Sequence, residues 1–251
     1  MDRAEEAEPG QREAAPRLRV AIDGPAGAGK GTAARGLADR LGYVLVDTGA
    51  LYRTVALAVR RAGLGWDNAD AIAEVARQVA ERERLGIAPP DRGSPGEGGS
   101  GMRVLLDGED VSGLIRTPEM SLGASRVSAI PGVRQALLSM QRQAGARGGV
   151  VLEGRDIGTV VLPDAEVKFF LTAPADIRAK RRFDELVARG APVSFEETLA
   201  DVLRRDKADS ERAVAPLRKA DDAIMVDSGH RGPAEIIEEM ARVVESRARG
   251  G

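Results

Sequence analysis

The sequence predicts an α/β fold, a doubly wound parallel sheet of five strands with helices on both faces, and three observations predict it. Short β-prone runs alternate with segments of helical periodicity over the first 60 residues, as a βαβ unit requires. The same alternation resumes at Val150 and continues toward the end of the chain. Between the two blocks lie a helical segment, a glycine-rich loop and a small hairpin, the pattern of an inserted subdomain.

The first strand is Leu18 to Asp23, a run that ends abruptly in glycines. After Lys30, the residues Ala33, Ala34, Leu37, Ala38 and Leu41 recur at helical spacing and predict an amphipathic helix closed by Gly42. Tyr43 to Val46 is a second strand, and a helix from about Ala50 to Arg61 follows, carrying Leu51, Val55, Leu57 and Val59. Asn68 to Glu81 is a further helix. Pro89 to Gly101 holds five Gly, three Pro and two Ser in 13 residues, which predicts a flexible loop. Met102 to Leu106, the turn Asp107-Gly108 and Glu109 to Val111 predict a hairpin. Residues 62–116 are therefore the expected insert, and 17–61 with 117–251 the expected core.

Thr117-Pro118 opens one helix, and Pro131 marks the first turn of the next. Strands at Val150 to Glu153 and Val167 to Leu171 come next, with Pro174 near the start of the helix after them. Ser194 and Glu197 have the spacing of a capping box and announce a helix to about Ser210. Ala223 to Asp227 is the fifth strand of the sheet, and Pro233 begins a closing helix.

Composition excludes several chemistries. The 251 residues contain no cysteine and one histidine, His230, so there is no thiolate nucleophile, no Cys-containing zinc site and no multi-histidine metal site. A chain without cysteine suits a reduced, cytoplasmic compartment. Of 37 basic residues only five are lysines, leaving 32 arginines against 39 acidic residues. The net charge of −2 gives no general pull toward nucleic acid. No uncharged apolar run approaches the roughly 18 residues of a membrane span, and a monomer without a membrane partner is expected. The first 16 residues are acidic and lack an apolar stretch, so they read as a disordered tail.

The strongest signal is Gly24-Pro25-Ala26-Gly27-Ala28-Gly29-Lys30-Gly31-Thr32, placed where a strand ends and a helix begins. Glycines there let successive N–H groups wrap a phosphate, and the helix N-terminus adds its partial positive charge. Lys30 would reach the β- and γ-phosphates of a bound ATP. A plain glycine-rich turn before a helix does not call for lysine in this register. The strict phosphate-binding loop has Ser or Thr directly after the lysine, whereas here Gly31 intervenes before Thr32. Mg²⁺ is therefore expected to be held by nucleotide phosphates and water rather than by a direct protein ligand, with Thr32 as the alternative.

The G-x-x-G-x-G-K-G-T pattern resembles the nucleoside monophosphate kinases. Asp47-Thr-Gly-Ala-Leu-Tyr-Arg53, Ser125 to Arg134, Glu153-Gly-Arg-Asp-Ile-Gly-Thr-Val-Val161 and Arg205 to Pro216 narrow the resemblance to the bacterial cytidylate kinases, over Arg19 to Asp227. That resemblance implies a P-loop kinase fold with a nucleoside-monophosphate-binding insert and a short helical lid near 178–216. It also implies phosphorylation of CMP and dCMP by ATP with Mg²⁺. Arg53, Arg155 and Arg212 would grip the acceptor phosphate, as guanidinium groups match phosphate oxygens in bidentate geometry. Ser125, Arg134 and Asp156 would read cytosine, whose edge offers acceptors O2 and N3 and the donor N4. Arg205 and Asp209 would hold the ribose, and Asp47 and Thr48 would contact CMP, with Lys30, Arg155 and Arg212 as the catalytic set.

Simpler structural roles stand beside these assignments. Arg205, Asp209 and Arg212 lie at i, i+4 and i+7, which a solvated ion-pair face also explains. Asp156 could be a turn residue, Ser125 a helix-surface hydroxyl, and Asp47-Thr48 a helix cap. Arg178, Arg181 and Arg182 read as solvent-facing residues of a surface helix, and His230 as structural or surface. The alternatives in function are another P-loop kinase, acting on AMP, UMP or a small metabolite such as shikimate, and a nucleotide-binding regulator without turnover. A regulator needs no second phosphate clamp, so the arginine set speaks against it.

Overall fold

The computed structural model describes residues 17–81, 84–88 and 103–250. The expected acidic tail (1–16) and the glycine-, proline- and serine-rich loop (89–101) lie outside the described residues.

Five parallel strands form the main sheet: β1 (Arg19–Asp23), β2 (Val44–Asp47), β6 (Val150–Glu153), β7 (Val167–Thr172) and β8 (Ile224–Asp227), in the order β2-β6-β1-β7-β8. β1 is central because it is apolar throughout its middle: Val20, Ala21 and Ile22 are fully buried and contribute to cores on both faces. On one face, α1 (Lys30–Leu41) and α8 (Pro233–Arg249) pack together, placing Leu37 and Met240 against Ile22 and Phe169. Gly42 ends α1 in a left-handed conformation, φ 63°, and its N–H caps the last turn.

The opposite face carries α2 (Thr48–Arg61), α3 (Ala69–Glu81), α4 (Pro118–Val127) and α5 (Pro131–Gly145). α2 packs on α4 and α3 on α5, and a single core runs through Val55, Ile72, Val79, Leu106 and Leu137. The insert therefore shares its apolar interior with helices on both sides of it in sequence. Its sheet has three strands, since β3 (Leu85–Ala88) precedes the expected hairpin of β4 (Arg103–Leu106) and β5 (Glu109–Asp110). β3 is only four residues long and contains Gly86, so the sequence carries no clear strand signal there; pairing with β4 and burial of Leu85 hold it in place.

Beyond β7, α6 (Ala175–Ala188) and α7 (Phe195–Glu211) pack against each other. α7 begins with the capping box the sequence announces: the Ser194 hydroxyl accepts the Glu197 N–H at 3.2 Å, and the Glu197 carboxylate accepts the Ser194 N–H at 3.0 Å. Among the described residues, no helix is long and apolar enough to cross a membrane.

Candidate active site

Because the five strands are parallel, their C-terminal ends lie along one edge, and β1 delivers the glycine-rich loop to the middle of it. Gly24 leaves β1 at φ +149°, and a Cβ there would sit 1.9 Å from the carbonyl oxygen of Leu171 on β7. The loop can pass so close to the sheet only as glycine.

Three carbonyls of the loop are bound by donors from different parts of the chain. The Lys30 ammonium donates to Pro25 O at 2.8 Å, the Arg178 guanidinium to Ala26 O at 3.0 Å, and the Ser228 hydroxyl to Ala28 O at 2.8 Å. Gly29, φ 85°, precedes α1 as its N-cap and offers no side-chain cap, and the first turn holds no acidic residue. Its first N–H groups are therefore free to meet an anion. Lys30 is 6% exposed; burial and the nearby Arg155 push its ammonium well below the ordinary lysine value, against the pull of Glu153 and Asp23.

Asp23, the last residue of β1, accepts the N–H groups of Ile157 at 2.8 Å and Gly158 at 2.7 Å. These bonds lock the turn carrying Arg155 and Asp156, and the π-helical turn Ile157–Val161 after it, to the strand that carries the phosphate loop. Burial raises the Asp23 carboxyl from 3.8 to about 6, although both backbone bonds favour its charged form. Its protonated form is thus favoured by folding, so its stabilising effect is complete below its unfolded value and is lost as pH rises through about 6. The melting temperature of the ligand-free protein is expected to lose this contribution between about pH 4 and about pH 6, and Asp23→Asn should flatten that fall in a pH series of thermal scans. Glu153, at the end of β6, is likewise pushed upward by its sheltered position and by Asp47.

Arginines line the adjoining part of a cleft of ≈ 1310 Å³. Arg53 is held by Asp47 at 2.7 Å, Arg155 by Asp209 at 3.0 Å, and the Arg212 Nε by the carbonyl of Ala215 at 2.6 Å. Ala215 itself is at φ +50°, a conformation uncommon outside glycine, which the Arg212 bond helps to keep. Among the described residues, five buried side-chain nitrogen or oxygen atoms have no hydrogen-bond partner, and three are guanidinium nitrogens of Arg53, Arg205 and Arg212. Guanidinium groups gathered around one cleft are what an anionic ligand pairs with. The donor set therefore fits the phosphates of a nucleotide pair.

At the far end of the cleft, Arg134 and Asp156 form a buried ion pair, with the Arg212 guanidinium 3.6 Å from the other oxygen of Asp156. Arg134 also donates to the carbonyl of Ser128 at 3.3 Å and lies over the ring of Tyr52, 5.5 Å from its centroid. Ser125 on α4 lines the same wall.

The structure thus brings the glycine loop, Lys30, Asp47, Thr48, Arg53, Ser125, Arg134, Arg155, Asp156, Arg205, Asp209 and Arg212 around one cleft. Several simpler roles also have their counterpart. Asp47 caps α2 by accepting the Ala50 N–H at 3.0 Å, and the Thr48 hydroxyl donates to the carbonyl of Glu153 at 2.7 Å, joining α2 to β6. A solvated face for α7 is corrected: Asp209 is 7% exposed, and the Arg212 side chain equally so. Two of the three arginines of α6 are corrected too, while Arg182 keeps a half-exposed pair with Glu185 at 3.1 Å. Arg178 is buried, bonded bidentately to Asp206 at 3.0 and 2.6 Å, and Arg181 donates to the carbonyl of Ser228 at 2.5 Å; neither is a solvent-facing charge. Sequence reasoning also assigned no site role to Asp23, Tyr52, Asp206 or Ser228. Asp23 closes the strand before the glycine loop, and that position was the one signal able to point to it.

Comparison with known proteins identifies the family. Residues 20–246 match the family described as cytidylate kinase. The chain is 51% identical over 232 residues to the protein named cytidylate kinase of Geobacter sp. (strain M21), covering 92% of this chain and 94% of that one. It is 49% identical over 230 residues to the protein of the same name from Mycobacterium leprae (strain Br4923), covering 91% and 96%. A solved structure, an uncharacterized protein from Eubacterium ventriosum ATCC 27560, superposes with a TM-score of 0.50 at 14% identity over 92% of this chain and 99% of its own. That likeness concerns the fold alone.

Proposed function

The chain belongs to the cytidylate kinase family and is a kinase of cytidylate, and we propose that it transfers the γ-phosphoryl of ATP in line to CMP and dCMP through the residues of this cleft. The observation that carries the assignment is the buried Arg134–Asp156 pair beside the arginine cluster. A carboxylate accepting from N4 and a guanidinium donating to O2 and N3 complement the cytosine edge, as neither alone would.

In this reading the glycine loop and Lys30 hold the β- and γ-phosphates of ATP, while Arg53, Arg155 and Arg212 hold the phosphate of CMP. Asp47 and Asp209 keep two of those arginines aimed by accepting from one edge of each. Arg205 and Asp209 serve the ribose, and Ser125 and Thr48 complete the acceptor wall. A monophosphate has a second pKa near ~6, so its oxygen arrives at neutral pH largely ionised, and no general base is required. Catalysis is then positioning and stabilisation of charge on the equatorial oxygens by Lys30, Arg155 and Arg212. Segment 62–116 acts as the acceptor-binding insert and 178–216 as the lid, which together exclude water from the transfer.

In the same reading Mg²⁺ would be held by the nucleotide phosphates and water, with the Thr32 hydroxyl beside the glycine loop as the alternative ligand. When bound, Mg²⁺ would neutralise charge on the nucleotide phosphates. A cytoplasmic monomer belongs to the same proposal.

An assay of ADP release with CMP, dCMP, UMP, AMP, GMP and shikimate as acceptors tests the assignment. CMP and dCMP should give the highest kcat/KM. Equal or faster turnover of any other acceptor would replace it, and ATP binding without turnover of any acceptor would make the chain a nucleotide-binding regulator.

A further inference from the structure

Arg178 is one of the most deeply buried charges in the molecule, 4% exposed, and the phosphate clamp does not account for it. It leaves α6 and reaches three ways. Its Nε donates to the carbonyl of Ala173 at the end of β7 at 2.8 Å. One Nη donates to Ala26 O of the glycine loop at 3.0 Å. The same nitrogen and its partner meet both oxygens of Asp206, at 3.0 and 2.6 Å, on α7. α6 lies close enough that a Cβ on Gly27 would stand 3.1 Å from the Cβ of Arg178.

Asp206 directly follows Arg205 and stands one helical turn before Asp209, which holds Arg155. α7 is therefore tied at one point to the glycine loop through Arg178 and at another to the Gly154–Asp156 turn through Asp209. Arg205 and Arg212, with their open guanidinium nitrogens, are carried by the same helix and its C-terminal cap.

We infer that Arg178 and Asp206 act as one positioning unit, a strut that sets α7 and its acceptor-binding residues at a fixed place relative to the ATP loop. The inference rests on the assignment of ATP and CMP to the two ends of the cleft. The bidentate pair suits the role because two parallel charge-assisted bonds fix orientation as well as distance, which lysine cannot reproduce. Arg178 is placed to do this without touching either substrate's reacting atoms, since its donors are engaged by Ala26, Ala173 and Asp206.

The test uses the full chain carrying Asp206→Ala, Asp206→Asn, Arg178→Lys and the double variant Arg178→Lys/Asp206→Ala. Affinity for a non-hydrolysable ATP analogue comes from calorimetry, KM for CMP from the coupled assay, and folding from thermal scans. Asp206→Ala should raise the CMP KM about tenfold or more, since small misplacements of binding groups are costly. Its ATP-analogue affinity should stay within about twofold, and Asp206→Asn should fall between it and wild type. Arg178→Lys should raise the CMP KM similarly, and in the Asp206→Ala background it should add less than about twofold, the mark of a pair acting as a unit. A CMP KM within twofold of wild type for Asp206→Ala, or independent multiplication of the two losses, overturns the strut. Should Asp206→Ala not fold, the isosteric Asp206→Asn decides by the same KM. Wild-type protein that does not phosphorylate CMP would sink the functional assignment instead, and the two failures are therefore separable.

Discussion

Lys30→Met is expected to lower turnover by about a thousandfold or more, because charge developing on the transferred phosphoryl group loses its one ammonium donor. The structure predicts that this loss is chemical rather than a matter of folding. The ammonium is buried and its charged form is disfavoured there, so a thioether of similar length should leave the melting temperature within a few degrees. Steady-state assays with CMP, alongside thermal scans, check both halves. A variant that keeps a tenth of wild-type turnover would refute the role of Lys30.

The second large effect concerns base reading. Asp156→Ala should reduce kcat/KM for CMP by about a hundredfold or more and UMP turnover by much less, since a site built to accept from an amino group loses that partner only with cytosine. It should also cost stability, about 3–5 kcal/mol, as Arg134 and Arg212 are left in a buried place without their carboxylate. Asp156→Asn separates the two effects. Its amide keeps an acceptor for Arg134 and offers a donor that matches the O4 of uracil, so the UMP to CMP ratio should rise while stability is largely restored. Denaturant melts and acceptor assays on both variants give the comparison; equal losses for CMP and UMP would remove Asp156 from base recognition.

Both predictions combine information that resides at different levels. The phosphate loop is legible because it is local: strand, glycines, lysine and helix follow one another within fifteen residues, and each contributes through its own backbone or charge. The sheet strands are legible for a similar reason, since apolar runs and their caps are short-range features. The distant arginines could be nominated only through a resemblance, because periodicity on α7 fits a solvated face as well as a ligand clamp. The structure distinguishes these by burial: Asp209 lies inside against Arg155, and the Nε of Arg205 is buried without a hydrogen-bond partner. For Arg178 the local signal pointed the wrong way. Three arginines within five residues of a helix look like a surface stripe, and nothing nearby indicates that Asp206 and the carbonyl of Ala26 will converge on one of them. β3 escaped for a related reason, as four residues containing a glycine become a strand only when β4 pairs with them.

The sequence by itself determined the α/β alternation, the phosphate loop and the absence of cysteine and histidine chemistry, because those depend on residue type and near spacing. The tertiary structure alone decided which charges lose water and which donors remain open. Parallel strands bring Asp23, Asp47 and Glu153 to one edge although 24 and 106 residues separate these neighbours in sequence. Burial then shifts Asp23 and Lys30 away from their ordinary protonation and leaves Arg53, Arg205 and Arg212 each with a buried nitrogen that has no hydrogen-bond partner. Desolvation depends on what surrounds a group in three dimensions, and no local run of residues specifies that.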